Sequence, residues 1–97
     1  MRISVDFDSI YNRQERSVVD AVMTGAEQHP GLQRSDLLAD VACVALNRLP
    51  PRYIRHEADF SFYLSEKERA DNELAVREVV EDAFNFVQAR EAMRARG

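Results

Sequence analysis

The chain has a single cysteine, Cys43, among its 97 residues. That excludes an intramolecular disulfide and leaves no cysteine-based metal site within one copy. Glycine and proline are scarce as well, three of each, which argues against both disorder and a many-turned β fold. No apolar run approaches the roughly 20 residues needed to span a bilayer. The opening residues Met1-Arg2-Ile3-Ser4-Val5-Asp6-Phe7-Asp8 lack the apolar stretch of a secretory signal, so a soluble, cytoplasmic protein with no membrane partner is expected. Lysine is nearly missing. Lys67 stands alone among 13 basic residues, and the rest are arginines, whose planar forks pair with carboxylates and phosphates and stack on flat rings. The formal net charge of −4 argues against duplex DNA as the main partner, because phosphate binding draws on a strong basic excess.

What is present fits one small all-α domain over residues 1–97, with 45% apolar residues and room for a modest core. Three main helices are expected. Residues 1–8 read as irregular. Asp8 or Ser9 caps a first helix that runs to about Gln28, with Tyr11, Glu15, Val18, Val19, Val22 and Ala26 on one stripe. His29-Pro30-Gly31 stops it. Ser35 caps a second helix, Asp36 to Leu49, whose Leu37, Leu38, Val41, Ala42, Val44, Ala45, Leu46 and Leu49 cover most of its circumference, so it is expected to be central. Its polar stripe is Asp36, Asp40, Cys43 and Asn47. Residues 54–59 read as irregular, and the alternation of Phe60, Phe62 and Leu64 suggests a short extended piece. Ser65 and Glu68 form a capping box for a third helix, Glu66 to Arg94, with a stripe of Val76, Val79, Val80, Ala83, Phe84 and Val87. At about 1.5 Å per residue it reaches roughly 43 Å. Either it bends near Asp71-Asn72, or its surplus packs on a second copy.

The stretch of greatest interest follows the second helix: Ala45-Leu46-Asn47-Arg48-Leu49-Pro50-Pro51-Arg52-Tyr53. Pro50 donates no backbone hydrogen bond and restricts Leu49, so the helix ends there, and Pro51 keeps the next step extended. Arg48, Arg52, Tyr53, Arg55 and His56 then lie within nine residues. Arginine forks suit phosphates, and arginine or aromatic faces suit purines. Other uses of the same residues stay open: Arg48 and Arg52 as caps on helix-end carbonyls, Tyr53 as a packed ring with its hydroxyl satisfied. Asp40 and Asn47 read as structural, Asp40 through an arginine of another helix and Asn47 by accepting donors of the Pro50-Pro51 turn. Catalysis has little support. His29 and His56 fall in turns, Cys43 lies mid-helix, and the glycines are isolated, so no enzyme is expected.

Asp40-Val41-Ala42-Cys43-Val44-Ala45-Leu46-Asn47-Arg48-Leu49-Pro50-Pro51-Arg52-Tyr53 resembles the central signature of the ComFB family, the late competence development proteins. In that signature an aspartate and a small-apolar helix lead into Ala-Leu-Asn-x-Leu-Pro-Pro-(Lys or Arg)-Tyr. Tyr11-Asn12 followed by a helix with Val18 and Val19 is similar to the family's opening, and the likeness extends over roughly residues 9–90. It implies an all-helical fold and a homodimer. It also implies a receptor for a cyclic dinucleotide, cyclic di-GMP foremost, acting on competence, pili or surface behaviour through an unknown downstream protein. Some members hold zinc with cysteines between the first two helices. Residues 27–36 here contain none, so no zinc is expected. Leu37, Val44, Val76, Val80 and Phe84 are the residues expected at a seam between two copies. A ligand-free protein-interaction module working through its apolar helix surface is the alternative reading.

Overall fold

The structure, a computed structural model, describes residues 5–97. In chain order the elements are β1 (Tyr11–Asn12), α1 (Gln14–Gly25), α2 (Ser35–Arg48), β2 (Tyr53–Ile54), α3 (Glu57–Tyr63) and α4 (Glu66–Ala95). Single 3-10 turns cover Phe7–Ser9, Ala26–Gln28 and Pro30–Leu32. The fold is all-α, as the helical periodicity implied, with a two-residue antiparallel pairing that sets Tyr11 against Ile54 and Asn12 against Tyr53. Among the described residues no helix is long and apolar enough to cross a membrane.

Three long helices make the body. Val18 and Val22 of α1, Leu37, Val41 and Ala45 of α2, and Val76, Val80, Ala83, Phe84 and Val87 of α4 close one core, joined by Ala26, Leu32 and Leu49 from the connections. Each of these valine, leucine and phenylalanine side chains, fully buried, stabilises the fold by about 1.5–3 kcal/mol before entropy is counted. Helices α1 and α4 approach closely at Gly25. A Cβ there would lie 2.8 Å from Phe84 Cε2, so only glycine fits against that ring.

Several expectations need correction. Helix α1 begins at Gln14, not after Asp8 or Ser9. The Asn12 side-chain oxygen accepts the Gln14 N–H at 3.2 Å, and this Asx turn holds Tyr11 and Asn12 in β1. Glu15 and Val19 of the expected stripe are exposed, while Gln14 is buried. Ser35 is the first residue of α2 rather than its cap, and Arg34 before it is extended with no capping side chain. The connection between α1 and α2 is held by the Gln33 amide donating to the Ala26 carbonyl at 3.0 Å and by His29 stacked on Phe84 at 4.2 Å.

Residues 57–63 are helical, not irregular and then extended. His56 and Asp59 form a capping box at the start of α3. Helical geometry puts Phe60 and Leu64 inward and leaves Phe62 83% exposed, so the alternation that suggested a strand arises from a three-residue coincidence. Helix α4 runs unbroken past Asp71-Asn72. Of the residues expected at a seam, Leu37, Val76, Val80 and Phe84 are buried in the core of the single chain and Val44 is half-buried. Except at Val44, their apolar surface is already covered by the chain's own helices.

Candidate functional site

The proline turn is locked before it displays anything. Gln14, 1% exposed, donates to the Pro50 carbonyl at 3.2 Å and to Asn72 Oδ1 at 2.7 Å. Asn72 returns a hydrogen bond to Gln14 Oε1 at 3.2 Å. Asn12 Oδ1 accepts the Arg52 N–H at 2.8 Å, and the Arg13 N–H donates to the Arg52 carbonyl at 2.7 Å. Pro50, which lacks a donor, thus has its carbonyl satisfied from α1, and Arg52 is pinned on both backbone sides. Buried polar groups need such partners, and here they fix the direction in which the chain leaves α2. Asn47, expected to accept turn donors, instead donates to the Cys43 carbonyl one helical turn back at 2.9 Å. Asp40 Oδ2 meets Arg90 of α4 at 2.6 Å.

Beyond the lock, Tyr53 is 64% exposed. The Arg55 guanidinium is steadied by Ser9 Oγ at 2.9 Å and Asp6 at 3.5 Å. His56 is exposed at the cap of α3. Together with Ile10, Ile54, Asp59 and Tyr63 they line a shallow depression of about 400 Å³. Arg48 and Arg52 do not join them. Arg48 lies over the Phe86 ring, 5.2 Å from its centroid, and Arg52 is half-buried, its Nε without a partner. The structure therefore splits the five expected ligand residues into a displayed trio, Arg48 set against Phe86, and Arg52 half-buried away from the depression.

A larger groove, about 680 Å³, runs between α1 and α4 with Phe60 of α3 at one end. It did not emerge from the sequence, because it forms only where α1 and α4 converge at Gly25. Arg13 holds that end. It donates to Glu57 at 2.7 Å and Ser17 at 2.6 Å, and lies 4.9 Å over Phe60. The Tyr11 hydroxyl donates to the same Glu57 carboxylate at 3.2 Å. The hydrogen bond from Arg13 holds the Glu57 carboxyl below its ordinary range. Partial desolvation, and then the bond to Glu57, push the Tyr11 phenol up.

Among the described residues no three His, Cys, Asp or Glu side chains converge as a metal site would require. Cys43 is exposed on α2 with the Asn47 amide 3.7 Å from its sulfur. His29 has Glu81 at 3.4 Å. Across residues 11–91 the chain matches a family described as late competence development protein ComFB. No curated protein matches it.

Proposed function

The chain belongs to the ComFB family of late competence development proteins, and on that premise we propose that it is a non-enzymatic cytoplasmic receptor for a cyclic dinucleotide, cyclic di-GMP foremost, which relays to competence, pilus or surface behaviour. The observation that carries this reading is the trio Tyr53, Arg55 and His56 on the locked turn, with Tyr63 and Asp59 beside it. The ligand presents two purine faces, two phosphates and two base edges. Tyrosine rings offer stacking, the arginine fork suits a phosphate, and a carboxylate suits a guanine edge. A depression of about 400 Å³ lies near the lower end of small-molecule sites. It suits one half of such a ligand, so two copies, each supplying one depression, complete a two-fold site. On this reading the protein works as a homodimer without zinc.

Calorimetric titration with cyclic di-GMP and with cyclic di-AMP tests the proposal. Saturable binding is expected for at least one, and Arg55→Ala weakens it by about tenfold or more through the lost charge-assisted bond. Folded protein that gives neither heat nor a thermal shift with either ligand overturns it. The interaction-module reading draws on the apolar groups that α3 leaves in solvent, Phe62 and Tyr63. It is favoured if Arg55→Ala leaves function intact while Phe62→Ser abolishes it.

A further inference from the structure

Helix α4 carries Arg69, Glu73, Arg77 and Glu81 along the wall of the α1–α4 groove. The charges alternate in sign at four-residue steps. Such steps follow one ridge of a helix, and at 1.5 Å per residue this ridge is about 18 Å long. Charges so spaced commonly pair along their own helix. Here the pairs within α4 lie near its ends, Lys67–Asp71 at 2.8 Å and Arg94–Glu91 at 3.1 Å, with Arg90–Glu91 at 3.5 Å. Among the described residues none of the four ladder side chains pairs with another, and Glu81 meets only His29 at 3.4 Å. Glu73, Arg77 and Glu81 are exposed and Arg69 is half-exposed.

We infer that this ladder is the seam between two copies, with α4 packed antiparallel on α4 about a two-fold axis level with Ala75. The inference deepens the two-copy reading above and rests on it. The order positive, negative, positive, negative reads as its own complement when reversed. About that axis Arg69 faces the second copy's Glu81 and Glu73 faces its Arg77, each pair occurring twice. A parallel arrangement in the same register sets like charge on like. An antiparallel slip of one step also sets Glu73 on Glu73. The pattern therefore selects direction and register by rejecting the alternatives. Ridges of this kind lie alongside one another when helices cross at about −50°. The low floor at Ala21 and Gly25 leaves room for the incoming side chains. The buried Val76, Val80 and Phe84 then only support the seam from beneath.

Sedimentation equilibrium at micromolar concentration tests this with wild type, Glu73→Arg, Arg77→Glu, the double variant, and an equimolar mixture of the two single variants. All substituted groups are exposed, and circular dichroism checks that each variant keeps its helices. Wild type is expected to be a dimer that weakens with added salt. Each single variant sets like charges together in two symmetry-related pairs and weakens the dimer at least about tenfold. The double variant regains it. The mixture forms a heterodimer, because the positive pair on one copy meets the negative pair on the other. A monomeric wild type overturns the two-copy reading and this inference together. A dimeric wild type with unaffected single variants overturns the ladder alone. Weakened singles that neither the double variant nor the mixture restores also overturn the pairing.

Discussion

In the body of the molecule Val18, Val41, Ala45, Phe84 and Val87 lose all or nearly all contact with water in one apolar cluster. At the proline end the closest long-range ties run instead through amides: Gln14 with Asn72 and Pro50, and Asn12 with Arg52. Apolar burial is non-directional and roughly proportional to area, so the body can shed a methyl group and relax. The amide knot is directional. Removing Gln14 takes the partner from half-buried Asn72 and from the Pro50 carbonyl, and packing alone cannot replace those bonds. The body supplies stability, and the knot supplies a fixed direction for the displayed turn.

Three substitutions separate these roles. The largest effect is expected at Phe84, which fills the core, stacks on His29 and lies under Gly25. Phe84→Ala lowers unfolding free energy by about 3–5 kcal/mol in urea titration. Next is Gln14→Leu, which keeps the volume but orphans Asn72 and the Pro50 carbonyl, for a loss of about 1–3 kcal/mol. In a double-mutant cycle with Asn72→Leu the two losses are strongly non-additive. Additive losses would mean that the knot is no knot, and the contrast with the body would collapse.

The smallest effect belongs to the exposed rim, at Glu57. Its folded pKa lies below the ordinary 4.5 because Arg13 donates to it. A depressed carboxyl contributes stability that is present above the unfolded value and is lost as pH falls through the folded one. Wild type therefore exceeds Glu57→Gln by a constant margin above 4.5, and the margin closes in more acidic solution. Urea midpoints for both proteins across a pH series check this. A margin that persists at the acid end would show that Glu57 acts through packing and not through charge.

The apolar body was readable because its side chains repeat at helical spacing on α2 and α4, and because Pro50 and Pro51 mark the stop of α2. Helix α3 was not. Phe60, Phe62 and Leu64 imitate a strand period, and the decisive capping bonds between His56 and Asp59 compete with that signal over only four residues. The candidate site was half legible. Tyr53, Arg55 and His56 share one depression, but whether Arg48 and Arg52 join them depends on Phe86 and on buried packing that no local pattern reports.

Sequence by itself determined the class of fold, the ends of the three long helices to within a few residues except the start of α1, and the chemistry available at the turn. These follow from local rules: side-chain periodicity, proline geometry and capping residues. Tertiary structure decided that Asn12, Gln14 and Asn72, and not Asn47, hold the turn. It paired Tyr11 with Ile54, buried the valines of α4 within their own chain, and left a charged ridge facing outward. Gln14 and Asn72 are 58 residues apart. An amide declares no partner in advance. It takes whichever donor and acceptor the packing of the helices brings within about 3 Å, and only the assembled bundle sets that distance.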